Sequence, residues 1–168
     1  MGWLRVAGTG RIPVDGTTVT WSVAEGHRGR RWREAVTRDG AVVHSLLLEL
    51  DPEGRFAHAE ITTPAGLLTL HPEGDGTIHG NAITTAGIEH VRGLQWGTED
   101  VVVIDGSVVS SAVAGHWQLA RGLDDLGVLR VSPDLSLARE RGTLEHASVD
   151  SRGLPLLDES HQWPLEEH

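Results

Sequence analysis

The chain has 168 residues, a length that fits one domain, and its formal net charge is −10 with histidine neutral. That acidic charge repels a phosphate backbone, so we expect no nucleic-acid partner despite the short basic run at 27–33. Cysteine is absent, which excludes disulfides, thiolate metal sites and cysteine nucleophiles.

Apolar segments in the sequence are short. The N-terminal one is interrupted by Arg5, unlike the core of a signal peptide. Runs such as 46–48 and 101–104 are far below the ~18 residues of a membrane span. We therefore expect a cytoplasmic protein without stable membrane insertion. Lysine and tyrosine are absent, a bias typical of a GC-rich bacterium.

Short alternating segments, separated by Gly, Pro and Asp turns, predict β-strands in the first two thirds of the chain. In chain order they lie at 17–24, 31–37, 41–50, 56–62, 67–71, 77–80, 88–96 and 100–104. Asp39-Gly40 predicts a tight hairpin, because Asp-Gly tolerates the positive φ angles of a type I′ turn. The glycines at 8–10 and 74–76 also indicate turns. This spacing predicts a mainly β fold, a strongly curved antiparallel meander forming a roll or incomplete barrel.

The later part of the chain is less regular. Residues 107–120 predict a helix, with Ser107 as its cap, although a strand is the alternative. One helical face would carry Val109, Val113, His116, Trp117 and Ala120. Further strands are predicted at 128–132 and 142–150. We expect a single domain over 1–168, at most one or two helices, and a C-terminal tail, 158–168, that is loose at its end.

Ten histidines raise the question of a metal site. No His-x-His or His-Glu-x-x-His spacing is present, so the sequence predicts no metal ligand set and no cofactor. Convergence of His58, Glu60, His71 and His79 across neighbouring strands stays open, because adjacent strands lie ~4.8 Å apart. No serine lies in a Gly-x-Ser-x-Gly elbow either.

Tryptophan is the most informative residue type, since six are present beside a single phenylalanine. Core filling is one interpretation, and a pocket lined for an amphiphilic small molecule is the other. Aromatic walls and orienting polar groups then give a set of candidate ligand-binding residues. These are Trp32, Glu34, His44, His79, Asn81, Trp96 and Trp117.

Four stretches resemble the glycolipid-binding family of bacterial spiral β-roll proteins, formerly a domain of unknown function. They are 67–81, with Ile78 where the family commonly has an aromatic, then 88–104, where Asp100 matches a family aspartate, then 132–135 and 149–155. The family's block T-N-x-L-P-I-R-R-L is absent, and residues 110–117 stand there. The resemblance implies a curved antiparallel sheet around a helix that binds a lipid-like molecule.

Three functions remain as hypotheses. The first is binding of a lipid-like or other amphiphilic small molecule in a curved-sheet cradle. The second is a cofactor-free enzyme of the isomerase, cyclase or hydrolase type, with acid–base candidates Glu34, His79, His90 and Asp100. The third is a protein-interaction module that uses exposed sheet edges, with a homodimer as one form.

Overall fold

A computed structural model describes residues 3–144 and 148–165 of the chain. The fold is mainly β, as predicted, and the described residues contain one helix. The elements are β1 (Arg5–Ile12), β2 (Thr17–Gly26), β3 (Gly29–Arg38), β4 (Ala41–Leu50), β5 (Phe56–Thr63), β6 (Gly66–Pro72), β7 (Thr77–Thr84), β8 (Gly87–Gln95), β9 (Val101–Ile104), α1 (Val108–Arg121), β10 (Leu126–Val131), β11 (Leu137–Gly142) and β12 (Asp158–Pro164).

The large sheet has nine strands in the order β12-β1-β2-β3-β4-β5-β6-β7-β8. Every neighbouring pair is antiparallel, and β1 to β8 follow chain order, so the predicted meander is confirmed. Its two edge strands, β8 and β12, do not pair with each other, so the sheet is open and forms a roll or incomplete barrel. The β3–β4 turn has positive φ at both Asp39 (52°) and Gly40 (77°), as a type I′ turn requires.

One face of this sheet, here called the inner face, supplies the core. Alternate residues of each strand point inward, as Val19, Trp21 and Val23 do on β2. Inner-face side chains from β1 to β7 form one buried cluster with residues of β9, β10 and α1. The opposite face, here called the outer face, carries mostly polar side chains.

The second layer is a β9–α1–β10 unit, extended by β11 into a small three-stranded sheet. β9 and β10 are parallel, and β9 is buried on both faces. Val102 and Ile104 join the core of the large sheet, whereas Val101 and Val103 pack with Trp117 of α1. The predicted helix is confirmed as α1. Ser107 is its N-cap: it has extended φ/ψ, and its hydroxyl accepts a hydrogen bond from the Ser110 amide at 3.0 Å. Gly122 ends the helix in the left-handed region.

The structure differs from the sequence prediction at both ends of the chain. Residues 8–10, interpreted as a turn, lie within β1, where a Cβ on Gly8 would be only 2.4 Å from the Trp21 ring. These glycines therefore give side chains room rather than reversing the chain. Residues 158–164 of the tail form β12, which pairs with β1. The exposed side chains of β12 show no core-facing alternation that could have indicated a strand.

The strand predicted at 142–150 is also corrected. β11 ends at Gly142, residues 143 and 144 are not in a strand, and Val149 makes only an isolated bridge to Pro155. Residues 145–147 lie outside the described part of the chain. Within the described residues, no helix has the length and apolar character needed to cross a membrane.

Candidate functional site

A cavity of about 290 Å³ lies where α1 faces the ends of β2, β3 and β4. Pocket volumes for small ligands run from roughly 300 to 1,000 Å³, so this cavity suits a small ligand. Apolar and charged side chains both line it. The wall consists of Glu25, Arg30, Trp32, Leu50, Pro52, Glu53, Gly54, Val113, His116, Trp117, Ala120, Arg121 and Gly153.

Trp32 is a residue of the wall whose hydrogen-bond donor has no acceptor among the described residues. Its side chain lies on the inner face of β3 and is 1% exposed. The buried indole N–H has no hydrogen-bond acceptor among the described residues. The other indole of the wall differs, since the Trp117 N–H donates to the Glu99 carbonyl at 3.2 Å. A buried donor without a partner costs about 1–3 kcal/mol, so the Trp32 N–H is an exception that sets this wall apart.

The helix side of the cavity is one continuous stripe. Val113, His116, Trp117 and Ala120 all line the cavity, at the i, i+3, i+4, i+7 spacing of a helical face. This is the face predicted from the sequence, except that Val109 is buried in the core instead. The Arg121 guanidinium lies 4.3 Å from the Trp117 ring centre and places a cation at the edge of the stripe.

Two glycines let loops approach this stripe closely. Gly54, in the β4–β5 turn, has a φ of 86°, and a Cβ there would lie 3.2 Å from the Trp117 ring. Gly153, in the turn before β12, has a φ of 80°, and a Cβ there would lie 3.0 Å from the His116 ring. A side chain at either position would be strained and would press on the cavity wall.

Glu34 lies two residues after Trp32, on the same inner face, and forms a buried polar cluster. Its carboxylate is bonded to His44 Nε2 at 2.7 Å, and accepts hydrogen bonds from the Ser107 hydroxyl at 2.7 Å and the Val109 amide at 2.8 Å. The last two donors belong to the N-terminus of α1, where the helix dipole favours negative charge. The cluster therefore fixes α1 against the strand that carries Trp32.

The Glu34–His44 pair is closed to solvent. The Glu34 side chain is 0% exposed and the His44 side chain is 4% exposed. A general acid or base must reach a proton of its substrate, and all these bonds are internal. The geometry supports a structural anchor for the helix.

The other candidate residues lie elsewhere. His79 and Asn81 are on the outer face of β7, and His90 Nδ1 is 2.6 Å from Asn81 Oδ1. Asp100, just before β9, accepts hydrogen bonds from the Gly97 amide and Arg139. Trp96 packs edge-on against Phe56 at 5.3 Å. The four acid–base candidates therefore do not form one site, whereas Trp32 and Trp117 share the cavity.

Sequence reasoning missed the charged rim of the cavity, which comprises Glu25, Arg30, Glu53 and Arg121. Arg30 is bonded to Glu25 at 3.2 Å and also donates to the Arg152 carbonyl. The signal that could have found part of it was the basic run at 27–33, which was weighed only as a nucleic-acid signal. Its alternation sends Arg30 and Trp32 to the same side of β3.

A shallower groove of about 420 Å³ crosses the outer face over β1 to β5. No buried side-chain atom without a hydrogen-bond partner is found on its walls among the described residues. Across residues 3–144 and 148–165, no three His, Cys, Asp or Glu side chains are arranged to hold a metal ion. No protein-family model, curated protein or solved structure matches the chain.

Proposed function

We propose that the chain binds a small amphiphilic molecule in the cavity between α1 and β3. The observation that carries this proposal is Trp32, which lines the cavity and whose buried indole N–H has no acceptor among the described residues. A ligand with a carbonyl, carboxylate or ether oxygen would satisfy that donor.

The remaining wall defines the rest of the ligand. Leu50, Val113 and Trp117 offer apolar surface to a chain or ring. The rim carries two arginines and two glutamates, so its charges offset one another and a neutral or zwitterionic head group is favoured. The volume of about 290 Å³ favours a ligand smaller than a complete diacyl lipid.

The test is to fill the cavity without disturbing the core. Ala120 lines the cavity and is exposed at the end of α1, so Ala120→Trp places an indole where the ligand would lie. Leu119→Trp is the matched control, because Leu119 is 60% exposed and does not line the cavity. Wild type and both variants are titrated with monoacylglycerols and alkyl glycosides of increasing chain length, which have neutral head groups. Binding is measured by native mass spectrometry and by tryptophan fluorescence.

We expect the wild type and Leu119→Trp to bind the shorter members of the panel equally. Ala120→Trp should bind about tenfold more weakly or not at all, with a melting temperature close to wild type. Wild-type protein that shows no mass increment across the panel contradicts the proposal. Unchanged affinity in Ala120→Trp places any binding outside this cavity.

A further inference from the structure

The β6–β7 hairpin holds two histidines side by side on the outer face of the large sheet. His71 and His79 are direct partners in the antiparallel register, with ring centres 6.5 Å apart. The connecting turn carries Glu73 and Asp75. This hairpin is separate from the cavity, and the function proposed above does not use it.

Hydrogen bonds fix the tautomer of both rings. His71 Nε2 lies 2.9 Å from Glu73 Oε1, and an ionised carboxylate can only accept, so His71 carries its proton on Nε2. His79 Nε2 lies 2.8 Å from the Thr77 hydroxyl, whose single proton is donated to Asp75. The hydroxyl must therefore accept from His79, which also places that proton on Nε2. In the neutral form, both rings keep a lone pair on Nδ1.

This is the arrangement that metal-binding histidines have in proteins. A ligating histidine usually donates its second ring N–H to a carboxylate or another acceptor, which orients the ring and raises its basicity. Two imidazoles that share one ion, with nitrogens about 2.0–2.1 Å from the metal, have ring centres roughly 5 to 6.5 Å apart. The observed separation of 6.5 Å lies at the upper end of that range.

We propose that His71 and His79 bind a divalent transition-metal ion through their Nδ1 atoms, with solvent in the remaining positions. Imidazole nitrogen suits copper, nickel and zinc, and Cu²⁺ should bind most tightly of the three. Glu73 and Asp75 add negative charge within the same hairpin. The site has two protein ligands, so its affinity will be lower than that of a closed structural zinc site.

The proposal is tested by calorimetric titration of the 168-residue chain with CuCl₂ and with ZnCl₂. The titrations are done about one pH unit above the ordinary histidine pKa of ~6.5, so that the free imidazoles are mostly neutral. We expect one equivalent to bind, with Cu²⁺ tighter than Zn²⁺. The double variant His71→Ala/His79→Ala should weaken binding by about tenfold or more. The matched control is His90→Ala/His161→Ala, which removes two other exposed histidines, from β8 and β12, and should leave this affinity unchanged. Equal affinities in the two double variants overturn the proposal.

Nitrogen-15 NMR of the wild-type imidazoles tests the same idea without any substitution. We expect the Nε2–H tautomer for His71 and His79, and addition of Zn²⁺ should shift the Nδ1 resonances selectively. An Nδ1–H tautomer at either residue, or Nδ1 signals that Zn²⁺ leaves in place, refutes the proposal. Glu73→Gln should weaken binding by about tenfold, since it removes a charged acceptor of the ring N–H.

Discussion

Replacing Glu34 by alanine should cost the protein about 3–5 kcal/mol of unfolding free energy, because it leaves buried hydrogen-bonding groups without their partner. The Glu34 carboxylate is bonded to three groups, His44, Ser107 and the Val109 amide, at 2.7–2.8 Å. Hydrogen bonds to a charged group contribute about 1.5–3 kcal/mol each, but bonds in one network are not additive, so the simple sum overstates the loss. A small domain has only about 5–15 kcal/mol of stability, so this loss is large.

Urea denaturation followed by tryptophan fluorescence and by far-UV circular dichroism measures the loss. Glu60→Ala is the matched control, because Glu60 is a half-exposed glutamate on the outer face of β5 and should change stability by less than about 0.5 kcal/mol. Ser107→Ala combined with Glu34→Ala should cost less than the sum of the single variants, because both residues belong to one network. A loss at Glu34 no greater than that at Glu60 would refute the role of Glu34 as helix anchor.

Two further predictions concern turns that border the cavity. Gly29→Ala should destabilise the chain by about 2–4 kcal/mol in urea unfolding, because Gly29 has a φ of 108° and a Cβ would lie 2.0 Å from the Leu50 carbonyl oxygen. The control is Gly26→Ala, since Gly26 pairs with Gly29 in the same hairpin but has open space around it, and this change should be nearly neutral. Equal losses of stability in the two variants would contradict this packing. Burial alone would raise the pKa of Asp150, but hydrogen bonds from the Leu154 amide and from Arg152 outweigh it and hold the pKa below its usual range. A lowered folded-state pKa gives stability that is present above the unfolded pKa of about 3.9 and is lost as the pH falls through the folded pKa. Asp150→Asn should therefore cost about 1–2 kcal/mol near pH 7 and progressively less below about pH 4, and a gap that persists in urea unfolding at the lowest pH would contradict the assignment.

The meander could be predicted because its signals are local. The Asp39-Gly40 turn and the alternation of β2 to β7 depend on residues a few positions apart, and so does the Ser107 cap of α1. The same holds for the helical stripe that lines the cavity, since a face at i, i+3, i+4, i+7 can be read from 113–120 alone. The wall that this stripe faces could not be predicted in the same way, because its residues on β2, β3 and the end of β4 are distant in sequence; Trp32 and Trp117, for example, are 85 positions apart.

One edge of the sheet, formed by β12 and β1, was missed for a different reason. β12 is an edge strand whose side chains are all exposed, so it has no apolar face to indicate a strand. β1 carries glycine where a neighbouring side chain needs the space, as at Gly8 under the Trp21 ring. In a sequence, glycines of this kind are indistinguishable from turn glycines until the partner residue is known.

The contact between Glu34 and His44 shows most clearly where local reasoning stops. A regular two-residue hairpin around Asp39-Gly40 would pair His44 with Ala35, on the outer face and away from Glu34. A bulge at Val43 of β4, opposite Val36 and Thr37, shifts the register by one residue, so that His44 pairs with Val36 and points inward with Glu34. One extra residue in a strand moves every later side chain to the opposite face. The buried anchor of α1, and with it the position of Trp117 opposite Trp32, therefore depends on a bulge that no residue type in this hairpin specifies.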